Sequence, residues 1–196
     1  MSLSHQKPLP AVFLDRDGTI NEEHGHIGTP EDLTLLSGAA EAIFRLNESQ
    51  YLTVVVTNQS VIARGKCTEA DMKLIHQRLQ SLIGEQGASI DRIYYCPHYP
   101  DPLIPGGRQD LKIVCNCRKP EPGLIMRAAK DMNIDLKMSW MIGDRTSDIK
   151  AAERAGIRSV LLAMKGVFDN QFSVRPDAKC LDLKDAVEFI LNYSAD

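Results

Sequence analysis

Short apolar runs alternate with stretches of helical periodicity along almost the whole chain, and no other feature limits the fold as strongly. Ala11–Leu14, Tyr51–Val56, Ile90–Tyr95, Ser139–Ile142 and Ser159–Ala163 read as buried strands. Between them apolar residues recur at helical spacing. Gly38–Asn47 carries Ala39, Ala42, Ile43 and Leu46, and the stretch after Thr68 carries Met72, Ile75, Leu79, Leu82 and Ile83. Pro122 to about Asn133 carries Leu124, Ile125, Ala128, Ala129 and Met132. Asp148–Ala155, closed by Gly156, and Leu183–Leu191 complete the series. Thr68 with Asp71 three residues later resembles a capping box. Strands alternating with helices at this pitch imply an α/β fold, a parallel sheet with helices on both faces. Such sheets place their chemistry at the carboxyl ends of the strands. The segments to inspect are therefore Asp15–Gly18, Thr57–Gln59 and Gly143–Asp148.

The 196 residues suit one domain, expected to span 1–196, and suffice for a real core. Hydrophobic residues make up 43% and charged residues 25%, which argues against a mostly disordered chain. Lys plus Arg number 23 against 26 Asp plus Glu, a net charge of −3, so no bulk attraction to nucleic acid or anionic membrane follows. No stretch approaches the roughly 18 consecutive apolar residues that span a bilayer. Met1 to Pro10 is polar and lacks the apolar core of a signal peptide. Five cysteines, three of them between positions 96 and 117, make a poor disulfide framework and a better metal pattern. A cytoplasmic protein is expected. Trp140 is expected in the core, with Met126, Met132, Met138 and Met141 as core fillers, and Cys67 and Cys180 as small apolar residues.

Asp15-Arg16-Asp17-Gly18-Thr19 follows the first strand directly. Two carboxylates at i and i+2 on extended chain project to one side. They could hold a hard divalent cation, or one could attack phosphorus while the other handles a proton. A polar turn alone would use the same residues. Thr57-Asn58-Gln59 ends the second strand with a hydroxyl and two amides able to donate to a phosphoryl group. Arg118-Lys119 sets two cations before a helix, and Gly143-Asp144 with Asp148 repeats the strand-then-carboxylate pattern. The long insert from Cys96 to Lys119 is rich in Pro and Gly, and a structureless loop of that length is usually functional or stapled. Cys96-Pro97-His98 and Cys115-Asn116-Cys117 supply three thiolates and one imidazole, a closed tetrahedral Zn²⁺ set with no open position for water. The zinc would be structural and would staple the loop over about 96–117.

Asp-x-Asp-Gly-Thr, a strand-ending Thr, Lys-Pro and Gly-Asp-x-x-x-Asp, in that order, resemble the haloacid dehalogenase superfamily of phosphohydrolases over nearly the whole chain. With the zinc loop and no large cap, the chain resembles two families, the D-glycero-D-manno-heptose 1,7-bisphosphate phosphatases and the histidinol-phosphate phosphatases. The segments 13–21, 55–60, 94–98 and 117–120 look most like the heptose family. The resemblance implies a haloacid-dehalogenase-like Rossmannoid fold and a Mg²⁺-dependent phosphatase with Asp15 as nucleophile and Asp17 as acid–base. Thr57 and Lys119 would stabilise the phosphoryl oxygens. Mg²⁺ would be held by Asp15, Asp144 and the backbone carbonyl of Asp17. Arg118 would read the distal part of the substrate, and further contacts would fall on Glu23, His24, Gly25, His26, Asn58, Gln59, Ser60 and Arg145.

The implied reaction removes the 7-phosphate of the heptose bisphosphate, in lipopolysaccharide core heptose synthesis. The implied partner is a small sugar bisphosphate, with neither nucleic acid nor membrane, and the protein is expected as a monomer. Histidinol phosphate is the rival substrate. A non-catalytic zinc-loop module and a DNA 3′-phosphatase are more distant rivals. Two positions depart from the heptose family pattern: Val61 stands where Gly is usual, and Arg145 where Lys is frequent.

Overall fold

Ala11, Val12, Phe13 and Leu14 are all fully buried, as a central strand covered on both faces requires. This strand, β1 (Ala11–Leu14), lies in the middle of a six-stranded sheet. The computed structural model describes residues 7–101, 103, 105–163 and 171–194. Met1–Gln6 of the polar N-terminal stretch and Pro102 of the long insert lie outside the described residues. The other strands are β2 (Leu52–Asn58), β3 (Arg92–Cys96), β4 (Trp140–Gly143), β5 (Arg158–Leu162) and β6 (Ala178–Cys180). Their order is β3-β2-β1-β4-β5-β6, and every pairing is parallel. The helices are α1 (Ala39–Asn47), α2 (Glu69–Gly84), α3 (Gly123–Met132), α4 (Thr146–Ala155) and α5 (Leu183–Leu191).

The pleat of β1 sorts the core into two layers. Val12 and Leu14 face one layer, filled by Ala42 and Ile43 of α1, Met72, Ile75 and Leu79 of α2, and Val187 and Ile190 of α5. Ala11 and Phe13 face the other, filled by Leu124 and Ile125 of α3 and Ala151 and Ala152 of α4. The helix boundaries follow their caps. The Thr68 hydroxyl accepts the Asp71 N–H at 3.1 Å and the Asp71 carboxylate accepts the Thr68 N–H at 2.8 Å, the expected capping box. Gly156 closes α4.

Three sequence expectations need correction. β2 runs two residues further, because Thr57 and Asn58 pair with Tyr95 and Cys96 on the ladder whatever their side chains. α4 starts two residues before Asp148. Of the four methionines, Met141 is fully buried and Met132 packs against the core, but Met126 and Met138 are 47% and 43% exposed. Trp140 is buried as expected, with Phe189 and Tyr193 edge-on at 5.9 and 5.0 Å. Cys67 belongs to the core, and Cys180 packs against it partly buried. Among the described residues no helix is long and apolar enough to cross a membrane.

Candidate active site

The central strands β1, β2 and β4 end side by side, and their carboxyl ends deliver Asp15, Thr57 and Asp144 to one place. Asp15 Oδ1 accepts the Arg16 N–H at 2.7 Å and lies 2.8 Å from Lys119 Nζ. Both contacts fall on one oxygen of the carboxylate. Lys119 is 4% exposed and also meets Asp148 Oδ1 at 2.7 Å and the Val56 carbonyl at 2.7 Å. Burial alone would strip its proton, but Asp148 and Asp15 outweigh burial and keep it a firm cation.

Asp15, Asp144 and Asp148 bring one carboxylate oxygen each within 4.8 Å of one another. Burial, then the charges of Asp15 and Asp148, push Asp144 up to about 8. Its Oδ1 is buried without a hydrogen-bond partner. A crowded carboxylate group with an orphaned oxygen fits a hard divalent cation. Gly18, at φ +77°, lets this approach happen: a Cβ there would strike the Asp144 carboxylate. Asp148 Oδ2 accepts the Arg145 N–H at 3.0 Å, so one residue caps α4 and pairs with Lys119. Burial pushes its carboxyl up to about 6 against the pull of Lys119.

Asp17 is held by a different set. Arg16, completely buried, reaches both its oxygens at 2.8–2.9 Å, and Gln59 and Asn21 donate to it at 2.7 and 2.9 Å. Burial would raise this carboxyl, but the Arg16 charge and these hydrogen bonds prevail and hold it below the usual range. Gln59 also accepts from Arg16 and donates to the Thr57 hydroxyl at 2.8 Å. Asn58 hydrogen-bonds both backbone groups of Lys119. Both amides expected to donate to a phosphoryl group thus have internal duties, orienting Asp17, Thr57 and Lys119. Neither Arg16 nor Asp148 drew a role from the sequence. The signal for Arg16 was its place between two aspartates at the end of a buried strand.

Asp15, Asp17, Thr57, Asn58, Gln59, Lys119 and Asp148 line a cavity of about 570 Å³. Glu23, Gly25, His26, Ser60, Arg118 and Arg145 line it, as do Val61, Arg64 and Tyr99. His24 is not on the lining and pairs with Glu22 at 3.0 Å. Arg145 bridges to Glu23 at 2.9 Å, joining the first loop to the turn after β4. Val61 is buried in the core and also lines the cavity.

The long insert folds back so that Cys96, His98, Cys115 and Cys117 meet. The three sulfurs lie 3.2, 3.3 and 3.6 Å apart, and His98 Nδ1 is 3.3 Å from Cys117 and 3.6 Å from Cys96. A tetrahedral ion with Zn–S bonds of about 2.3 Å sets sulfurs about 3.8 Å apart, so a slight expansion accommodates it. Hydrogen bonding from Cys96, against burial, pulls Cys117 down to about 5, while Cys96 moves up. One ligand is thus already inclined to the thiolate form a metal needs.

The HAD-hydrolase-like family matches residues 116–186. A D-glycero-beta-D-manno-heptose-1,7-bisphosphate 7-phosphatase of Escherichia coli K12 is 36% identical over 190 residues, covering 97% of this chain and 92% of the relative. That of Haemophilus ducreyi is 42% identical over 157 residues, covering 80% and 84%. The D,D-heptose 1,7-bisphosphate phosphatase of B. bronchiseptica, solved with magnesium and phosphate, superposes with a TM-score of 0.79 at 30% identity, over 93% of this chain and 98% of that one. The folded arrangement of Asp15, Lys119, Asp144 and the Cys/His loop, together with this similarity along the chain, makes it a member of the heptose-1,7-bisphosphate 7-phosphatase family of HAD-like hydrolases.

Proposed function

We propose that the protein removes the 7-phosphate of D-glycero-β-D-manno-heptose 1,7-bisphosphate, leaving the sugar 1-phosphate. The observation that carries this reading is Asp15 at the end of the first strand, with one carboxylate oxygen held by Lys119 and the Arg16 N–H. The names of the full-length relatives supply the substrate. Asp15 Oδ2 attacks phosphorus in line, the bond from phosphorus to the C7 oxygen breaks, and Asp17 gives that oxygen its proton. Asp17 then takes a proton from water, which attacks the aspartyl-phosphate and releases phosphate and free Asp15. In the free protein Asp17 is ionised, the form of the second step. A phosphate dianion beside it repels its charge and favours the protonated form of the first step.

Asp15, Asp144 and the Asp17 carbonyl would hold Mg²⁺, which would supply charge neutralisation on the phosphoryl oxygens. Thr57 and Lys119 hold those oxygens, and Arg118 faces the distal phosphate. Backbone or side-chain contacts from Glu23, Gly25, His26, Asn58, Gln59, Ser60 and Arg145 surround the sugar. Zn²⁺ in the Cys96, His98, Cys115 and Cys117 set has no open position and acts on structure alone. The protein works as a cytoplasmic monomer on this small molecule. Histidinol phosphate, lacking a second phosphate, leaves Arg118 without an anion. The deciding experiment is phosphate release from both heptose bisphosphate anomers, fructose 1,6-bisphosphate, histidinol phosphate and a 3′-phosphorylated oligonucleotide. A kcat/KM highest on the β-heptose bisphosphate is expected. Preference for histidinol phosphate or the oligonucleotide overturns the assignment.

A further inference from the structure

Three segments converge on one aromatic ring in the wall of the cavity. Tyr99 comes from the start of the zinc loop, Arg118 from its end, and Arg64 from the turn after β2. The Arg64 guanidinium carbon sits 4.2 Å from the Tyr99 ring centroid and that of Arg118 5.2 Å. Stacking on a ring fixes a guanidinium plane while leaving its N–H edge free. Arg118 spends one N–H on the His98 carbonyl at 3.1 Å. Arg64 Nε is buried with no partner at all. Neither arginine has a carboxylate in salt-bridge range among the described residues, although Asp15, Asp17 and Asp148 line the same cavity.

The backbone holds this arrangement together. Arg108 N–H donates to the Ala63 carbonyl at 2.9 Å, and Tyr99 N–H to the Leu111 carbonyl at 3.1 Å. The chains at Gly65 and Gly107 approach so closely that a Cβ on Gly107 would strike the Ala63 carbonyl. The zinc loop is therefore clamped to the turn that carries Arg64. Two cations without a carboxylate partner line one cavity and repel each other. A dianion between them removes that repulsion.

We propose that Arg64 is a second specificity-determining cation, which binds the distal phosphate of the substrate jointly with Arg118 on the shared Tyr99 platform. The inference rests on the bisphosphatase reading above. It predicts a graded, selective defect. In Arg64→Gln the loss of kcat/KM on the heptose bisphosphate exceeds the loss on p-nitrophenyl phosphate by ~10-fold or more, the scale of one charge-assisted hydrogen bond. Arg64→Lys, which keeps charge but not the stacked fork, falls between.

The product, heptose 1-phosphate, carries only the distal phosphate and so isolates the subsite from the chemistry. Its inhibition constant against p-nitrophenyl phosphate hydrolysis is expected to rise ~10-fold in Arg64→Gln. In Arg64→Gln/Arg118→Gln the losses are less than additive, because both side chains serve one group. Equal losses on both substrates, or an unchanged product inhibition constant in Arg64→Gln, overturn the proposal while leaving the substrate assignment intact. A wild-type protein that neither hydrolyses the bisphosphate nor binds its 1-phosphate product overturns both.

Discussion

Asn58 grips the backbone of Lys119 from both sides: its Nδ2 donates to the Lys119 carbonyl at 3.0 Å and its Oδ1 accepts the Lys119 N–H at 3.0 Å. Sixty-one positions separate the two residues, so strand β2 dictates where a cation from the zinc loop's end can stand. Asn58→Ala removes both bonds without touching the ammonium. A shift of about 1 Å at Lys119 is worth on the order of 10²-fold in rate. The expected result is a fall of that order in kcat on any phosphate monoester with Tm little changed. An unaltered kcat shows that Lys119 is held by its own ion pairs alone.

Asp15→Asn replaces the proposed nucleophile with an amide that neither attacks phosphorus nor holds a cation well. Lys119 also loses one of its two carboxylate partners. Steady-state phosphate release is expected to vanish while the circular dichroism spectrum is preserved. Turnover within tenfold of wild type in the folded variant assigns the nucleophile elsewhere. Asp17→Asn should cost a smaller factor, about 10²–10⁴, because binding and electrophilic assistance survive.

The carboxylate group predicts how pH and Mg²⁺ compete. Asp144 is raised to about 8 by burial, then Asp15 and Asp148, so without a cation the folded protein holds a proton that the unfolded chain has already lost. Between about pH 4 and pH 8 the metal-free protein therefore loses stability as pH rises. Mg²⁺ must displace that proton at low pH and finds the site ionised at high pH. The rise in Tm on adding Mg²⁺ should be larger at pH 8 than at pH 6, and activity should disappear in excess EDTA. A Mg²⁺-induced shift independent of pH counts against the Asp144 ligand.

His76 controls the acid limb. It sits on the inner stripe of α2, edge-on to Tyr95 at 5.4 Å, with Nε2 buried and unpartnered. Burial, and next the charge of Arg16, push its pKa down to about 3. The unfolded chain takes up a proton near pH 6.5 that the folded protein refuses. Its contribution is thus present above about pH 6.5 and is lost as pH falls towards 3, up to ~4 kcal/mol. The urea midpoint of wild type minus that of His76→Leu should be constant above about pH 6.5 and fall steadily as pH drops from there towards about 4. Parallel curves over that range show that His76 does not titrate with folding.

Much of this was legible in the chain because it is local. The strand-ending Asp15, the Thr68 cap and the Gly156 stop each need only neighbouring residues. His76 was legible in principle, since it falls one turn from Met72 and Leu79 on the same stripe. Strand β6 was not: Ala178-Lys179-Cys180 is a short, half-exposed edge held by pairing with Val160–Leu162, and it carries no apolar run. The sheet order is also non-local, and so is every contact that crosses it. Arg145 meets Glu23 over 122 positions, and Asp148 meets Lys119 only because β1 lies between β2 and β4. The cysteine pattern succeeded across 19 positions because ligand chemistry, unlike a salt bridge, leaves two tight pairs in the sequence.

Metal binding by the Cys/His loop and its effect on catalysis can be measured separately. Cys115 and Cys117 lie immediately before Arg118 and Lys119, and Cys96 ends β3 beside Asn58. A metal joining these thiols to His98 fixes both ends of the insert to the sheet and sets the position of both cations. Protein purified without chelator should contain about one tightly held zinc. Cys115→Ser should lose most of it, because a hydroxyl is a poor substitute for a thiolate. The variant should then lose kcat/KM on the order of 10²-fold on the bisphosphate, through Arg118 and Lys119 together. On p-nitrophenyl phosphate the loss should be smaller, since only the Lys119 part is felt. Added Zn²⁺ should restore part of the activity at concentrations that refill the three remaining ligands. Zinc-free wild-type protein with full activity shows that the loop holds its shape unaided; equal losses on both substrates show that the metal serves Lys119 and leaves Arg118 alone.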